Sequence, residues 1–389
     1  MKYNFDEIID RNGTVCEKYD HTEAIFGTRD ILPLWIADTD FRTPSFIINA
    51  LKERLEHPIF GYSFRCNYYY EAVRSWLFRR NGWNVSLDWL DFTPGVVCGL
   101  SYGIKSFTEE GDKIVIQPPV YPPFARTIKA NKRVVVNNPL KIIDGRYEID
   151  FEDLDQKLEG AKLFILCNPH NPTGRVFTKE ELLRIGNLCL KHGVYIVSDE
   201  IHSDLILKPN RHIHIASLSE EIANITLTYV APSKTFNIAG FSTAVAIIPN
   251  PELHEMYRNC ANQIHVDQGN IFGAVALRAA YNNGDEWLDC CMEYIRTNIE
   301  YVLDFLRTNT PKIKCIPPEA TFLLWLDFSE LGMTHADLQQ FLIQKAKLGL
   351  NSGTDFGEEG ECHMRINVGS PRSVIEQAMH QLKTAYDTL

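Results

Sequence analysis

No stretch of this 389-residue chain approaches the ~20 consecutive apolar residues that a membrane-crossing helix requires, so a membrane protein is not expected. Basic residues are in short supply as well. Thirty-nine Lys and Arg against 50 Asp and Glu leave a formal net charge of −11, whereas nucleic-acid binders carry a basic stripe. That balance still allows a local basic pocket for an anionic ligand. The ten cysteines contain no CxxC pair, and the closest two, Cys290 and Cys291, are adjacent. This excludes a zinc ribbon or a disulfide framework and reads as reduced core thiols in a cytoplasmic protein. The first residues, MKYNFDEIIDRNG, have neither a basic n-region nor an apolar core, so no signal peptide is expected. Repeats and low-complexity linkers are missing too. His212 and His214, two apart in a loop, read as a chance pair, and no metal site is expected.

What is present suits a soluble enzyme-sized chain. Hydrophobic residues make up 45% and charged residues 23%, and the length accommodates two domains around one or two large cores. Residues 1–45 look irregular, centred on PLWIADTDFRTP. Helices are expected at 47–55 and 68–80, with Gly61 and Tyr62 in the loop between them. From Leu90 onward, short apolar strands (90–93, 112–117, 133–137, 163–167, 194–198, 225–229, 243–248) alternate with helices. That alternation means an α/β fold with a mainly parallel sheet covered by helices on both faces. Helical periodicity then dominates from 251 to 309. A strand–helix–strand–helix pattern from 321 onward implies a smaller α+β domain. The expected division is 46–285 for the large domain, and 1–45 with 286–389 for the small one.

In open α/β sheets ligands bind beyond the carboxyl ends of the strands. Pro94-Gly95-Val96-Val97 follows the first strand and opens a helix, whose free amides suit a phosphate. PPVYPPF fixes Tyr121 among four prolines, where its ring can stack on a planar ligand. NPHNPTG places Asn168 and Asn171 in a stiff turn. Asp199 ends a buried strand and needs a cationic partner, such as a protonated pyridine nitrogen, to stay ionised. His202 follows three residues later. Lys234, in VAPSKTFNIAGF, lies just past a strand end among the small residues Ala231, Ser233 and Thr235. A lysine desolvated there loses basicity and becomes a nucleophile towards carbonyls. Arg365, in MRINV, offers a bidentate fork for a carboxylate. Together these are the parts that pyridoxal phosphate demands.

These motifs, in this order, resemble those of the fold-type-I, aspartate aminotransferase-like pyridoxal-phosphate enzymes over nearly the whole chain. PLWIADTDF, FGY, LCNPHNPTGRVFTKEEL, SDEIHSDL, APSKTFNIAG and RINVGSPR are most similar to the cystathionine β-lyase branch, carbon–sulfur lyases acting on cysteine S-conjugates. The resemblance implies that Lys234 holds the cofactor covalently and moves the substrate's Cα proton. It implies that Asp199 pairs with the pyridine nitrogen, Asn171 bonds the ring hydroxyl and Tyr121 stacks on the ring. Val96, Val97 and Ser233 would hold the phosphate, Arg365 the substrate carboxylate, and Tyr62 the phosphate of a neighbouring subunit in a homodimer. Two residues depart from the wider family: Ser242 stands where many aminotransferases have an arginine, and His202 where they have a tyrosine. Transamination is the alternative activity, and a protein-binding scaffold the reading from another class.

Overall fold

The computed structural model of the chain describes residues 3–265 and 268–389. Among them, seven strands form one sheet: β1 (Leu90–Thr93), β2 (Lys113–Ile116), β3 (Val134–Asn137), β4 (Ala161–Cys167), β5 (Tyr195–Asp199), β6 (Thr226–Val230) and β7 (Ala244–Ile247). Their spatial order is β1-β7-β6-β5-β4-β2-β3, and β7 alone runs antiparallel to its neighbours. The expectation of a mainly parallel sheet holds, with this one reversed strand.

Strand β4 shows why both faces need covering. Leu163, Ile165 and Cys167 point into one apolar cluster with the helix Val96–Phe107 and the helix Pro251–Gln263. Phe164 and Leu166 point into another, with Leu182, Ile185 and Cys189 of the helix Lys179–His192. Side chains alternate across a strand, so a run that is apolar at every position requires a layer on each side. Local signals fix the helices. Thr178 and Glu181 form a reciprocal capping box, and Gly193 at φ +65° ends that helix. The helix Val96–Phe107 lies so close to the sheet that a Cβ on Gly99 would come within 2.4 Å of the Tyr229 ring. Glycine is required there by proximity.

A second, antiparallel sheet of four short strands contains β8 (Lys314–Cys315), β9 (Leu323–Asp327), β10 (Asn351–Ser352) and β11 (His363–Asn367), in the order β8-β9-β11-β10. The amino-terminal segment is less irregular than its composition suggests. It holds short helices at Glu17–Asp20 and Thr22–Phe26 and a two-residue strand, Leu32–Pro33, paired with Leu348–Gly349. Helices this short carry too few residues to show a periodicity in the sequence.

From Leu34 the segment runs as a strap between the two sheets. Leu34 donates its N–H to Gly349 O, and Asp40 its N–H to Gly369 O. Asn367 gives its side-chain NH2 to Ile36 O and Asp38 O. On the other side, Asn237 donates to Thr39 O and Phe41 O and accepts from the Thr39 N–H. The strap is anchored by charge. Lys18, fully buried, meets Asp40 at 2.8 Å, Arg11 meets Asp38 at 2.6 Å and Asp40 at 2.7 Å, and Ser370 Oγ donates to Asp40. Burial raises the Asp40 carboxyl, but Lys18, Ser370 and Arg11 outweigh it and hold it below its ordinary value of 3.8. Asp40 therefore adds stability that is complete well above pH 3.8 and is lost as the pH falls through that value and below.

Replacing Asp40 by Asn leaves the buried Lys18 ammonium only the longer contact to Asp38, at 3.7 Å, and denaturant unfolding at pH 7 is expected to show a loss of about 3 kcal/mol. The gap between the two proteins narrows as the titration is repeated at progressively lower pH. A variant as stable as the parent at pH 7 would show that the pair does not anchor the strap.

Candidate active site

The carboxyl ends of β4, β5 and β6 and the start of the helix Val96–Phe107 face a cavity of about 1230 Å³, closed on the far side by the strap and by β10 and β11. Lys234 follows β6 in a single helical turn, Pro232–Thr235. It is half-buried and donates from Nζ to Ala37 O at 2.7 Å, so the strap meets the amine directly. Burial is the main cause that lowers Lys234 to about 8, and the nearby Arg365 cation adds to it. Asp38 and Asp199 pull the other way.

Asp199, the last residue of β5, is buried and accepts the Ile201 N–H at 3.1 Å. It makes no ion pair among the described residues. Burial pushes its carboxyl up to about 7, and Glu200 adds to this against the Ile201 N–H and Lys234. An acid so placed is incomplete by itself, and a cation brought against it would restore its charge.

Asn171 sits in the turn after β4, where the Asn168–Pro169 and Asn171–Pro172 peptides are both cis. Gly174 closes that turn at φ +71°, packed so tightly that a Cβ would fall 2.5 Å from Pro318 Cβ. Asn171 Oδ1 accepts from Arg365 Nη1 at 3.0 Å, which leaves the amide NH2 as the group able to donate to a ligand. Arg365 is buried, lies 5.0 Å over the Phe356 ring and gives Nη2 to Trp35 O at 2.9 Å and to Asn351. Its Nε has no partner among the described residues. Burial lowers this guanidinium to about 10, opposed by Tyr121 and Asp355.

His202 is buried in the cavity wall, edge-on to Phe322, with its Nδ1 unpartnered among the described residues. Burial, then Lys234 and Arg365, lower it to about 3, so it is a neutral imidazole at any working pH. Tyr121 is half-buried, edge-on to Phe124, and burial followed by the Asp199 charge raises its hydroxyl. Val96, Val97 and Ser233 line the same cavity at the amino ends of two helical turns, where backbone N–H groups lack helical acceptors. Ser242 lines it too, beside Thr243.

Tyr62 is not among these residues. It is fully exposed and lines a separate shallow hollow with Phe60, Gln268 and Phe272. Nor are His212 and His214 an incidental loop pair. Both are buried and both bond the Oε2 atom of Glu200, at 2.9 Å for His212 Nε2. Burial raises Glu200, but the two imidazoles outweigh it and hold it at about 2. Both imidazoles are already at hydrogen-bonding distance from the carboxylate, so the cluster braces the residue next to Asp199 as it stands.

Three contributors escaped the sequence reading. Ala37 and Trp35 act through backbone carbonyls, which carry no residue-type signal, although PLWIADTDF marked the segment. Asn351 comes from a two-residue strand with no motif around it.

The chain matches the family model for aminotransferase class I and II over residues 38–382, and it belongs to that family. Within it, the chain is 46% identical to the cystathionine beta-lyase PatB of Bacillus subtilis over 384 residues, covering 98% of this chain and 99% of that protein. Among solved structures it is similar to cystalysin from Treponema denticola, which contains a pyridoxal 5′-phosphate cofactor. The TM-score is 0.97 at 35% identity, with 100% of both chains covered. It is also similar to a pyridoxal phosphate-bound C–S lyase from Staphylococcus hominis, with a TM-score of 0.92 at 36% identity over 98% of each chain.

Because Lys234 is lowered to about 8, competitive labelling of the ligand-free protein with acetic anhydride is expected to modify this amine half-maximally near pH 8, well below 10.5. Peptide mapping reads the site. A Lys234 profile centred near 10.5 would mean that the pocket does not desolvate the amine.

Proposed function

We propose that this protein is a pyridoxal-phosphate-dependent carbon–sulfur β-lyase that converts cystathionine or a related cysteine S-conjugate to a thiol, pyruvate and ammonia. The observation that carries the reading is the incompleteness of the cavity. Among the described residues, buried Asp199 makes no ion pair and one His202 nitrogen has no partner, and with the amides at two helix starts they share a cavity with one amine of lowered basicity. Each matches a different part of the cofactor: pyridinium nitrogen, ring hydroxyl, phosphate and aldehyde.

When bound, the cofactor supplies a conjugated ring able to accept the electron pair left at the substrate's Cα. The chain's own groups do the rest. Asp199 keeps the pyridine nitrogen protonated, while the Asn171 NH2 and the His202 imidazole bond the ring hydroxyl. Tyr121 stacks on the ring. The amides of Val96 and Val97, with Ser233, hold the phosphate. Arg365 holds the substrate carboxylate and so orients the Cα–H bond towards Lys234. Lys234 would hold the cofactor through its amine, and the same amine is placed to take the substrate's Cα proton. The Cβ–S bond then breaks, the electron pair leaving with sulfur, Tyr121 or Lys234 protonates the thiolate, and water hydrolyses the released aminoacrylate to pyruvate and ammonia.

Residues 46–285 form the cofactor-binding unit, and residues 1–45 with 286–389 the unit that covers the substrate. The working form is a homodimer. Tyr62 and its exposed neighbours Phe60 and Phe64 cover a second copy, and Tyr62 reaches the phosphate there. Ten unpaired cysteines fit a reducing cytoplasm.

The purified protein is expected to absorb near the visible edge, to lose that band on borohydride reduction, and to release pyruvate from L-cystathionine without any added 2-oxo acid. Lys234→Ala is expected to lower that rate by about a hundred- to ten-thousand-fold, the contribution of one positioned proton-transfer group. Turnover only with an added 2-oxo acid would make the protein an aminotransferase. The absence of a band after adding the cofactor would reject both. In sedimentation the particle should have twice the mass of one chain, and Tyr62→Ala should weaken cofactor retention.

A further inference from the structure

The reacting half of the substrate is fixed by Lys234 and Arg365, which leaves the far side of the sulfur to meet the cavity's rim. Two loops join there. The Val120 N–H donates to Phe356 O at 2.8 Å, tying the Tyr121 loop to the helical turn Gly353–Phe356. Each loop carries one charged side chain at the opening. Arg126 lies in the helix Pro123–Ala130, which begins two residues after Tyr121, and Asp355 directly precedes Phe356, the ring beneath the Arg365 guanidinium. Both line the cavity.

Arg126 and Asp355 approach to 3.9 Å, with side-chain exposures of 72% and 48%. An ion pair that loose and that solvated contributes little to stability, so either partner can be exchanged at small cost. Each is also felt inside the cavity, since Arg126 acts on the Tyr121 hydroxyl and Asp355 on Arg365. The lining elsewhere is mixed, with Ile25, Phe26 and Ile343 beside Glu17, Gln339 and Gln340. A purely alkyl thiol half needs only apolar contacts, whereas a thiol half ending in an ammonium and a carboxylate needs an anion and a cation side by side, which Asp355 and Arg126 offer.

The geometry points to Arg126 and Asp355 as a second recognition site, for the distal α-amino-carboxylate of a substrate that carries an amino acid at both ends of its sulfur linkage. Arg126 takes the distal carboxylate and Asp355 the distal ammonium, the two exchanging their mutual contact for the ligand's zwitterion. This rests on the lyase reading above and narrows its substrate class to thioethers and disulfides of two amino acids, in preference to S-alkyl cysteines.

The test measures binding apart from turnover. L,L-2,7-diaminooctanedioate has both amino-acid ends and carbon where the sulfur would be, and L-2-aminooctanoate has one end and an alkyl tail. Their dissociation constants are read from the change in cofactor absorbance of the holoenzyme. The parent protein is expected to prefer the two-ended ligand, and Arg126→Gln and Asp355→Asn each to reduce that preference about tenfold. A preference unchanged within twofold in both variants would overturn the assignment, as would a parent that prefers the alkyl ligand. Pyruvate release from L-cystathionine and from S-ethyl-L-cysteine is measured on the same preparations. If neither yields pyruvate, the lyase reading fails while the binding ratio still decides the subsite. If both do, the ratio of their kcat/KM values must fall with the binding preference.

Discussion

The arrangement of the whole catalytic region depends on burying one lysine, Lys18, against Asp40. A charge in the interior is tolerable only with an opposite charge and hydrogen bonds that saturate both. Arg11, Asp38 and Ser370 complete that requirement. The consequence is geometric. Residues 34–41 are held as an extended strap with backbone carbonyls at fixed positions. Ala37 O then meets Lys234, and Trp35 O meets Arg365. Two groups that arrive from different sheets are thus referenced to one rigid piece of backbone. The strap's hydrogen bonds to Asn237 on one side and Asn367 on the other make it a shared wall.

Burial works in opposite directions on the two central ionisable groups. It lowers Lys234 to about 8 and raises Asp199 to about 7, because each charged form loses its hydration in the cavity. Each is left in want of something a ligand can bring, an electrophile for the amine and a cation for the acid. Arg365 does not follow this pattern. Its guanidinium keeps three hydrogen bonds and an aromatic face, and at about 10 it stays charged at any working pH. A permanent cation in that position suits a carboxylate clamp, and it also helps to lower the basicity of Lys234 and His202.

The Glu200–His212–His214 cluster lies directly behind Asp199. Its role is to satisfy a buried carboxylate on the strand that carries the acid, and it fixes the end of β5 from the side away from the cavity. Trp83 stacks on His214 at 4.4 Å, extending the brace to the segment before β1. Such a brace costs no chemistry, since all three groups are sequestered from the ligand space.

Much of this was legible in the residues. Fully apolar runs alternating with capped helices dictate a parallel sheet with two covered faces. Glycine, proline and asparagine at the strand ends dictate turns that carry Asn171, Asp199 and Lys234. Those signals are local, each needing only a few neighbours in the chain, and the strand-end positions they predicted line one cavity. The short helices at Glu17–Asp20 and Thr22–Phe26, and the strand partners Leu32–Pro33 and Leu348–Gly349, were not legible. They form because the strap binds across a sequence separation of more than 300 residues. The reversal of β7, the pairing of Arg365 with Trp35 O and Asn351, and the meeting of Arg126 with Asp355 at the rim have the same origin. The sequence by itself determined which residues could do chemistry and the layer order that gathers them, because composition and period act locally. Tertiary structure alone decided their protonation and their partners, because desolvation and carbonyl placement depend on what distant segments bring against them.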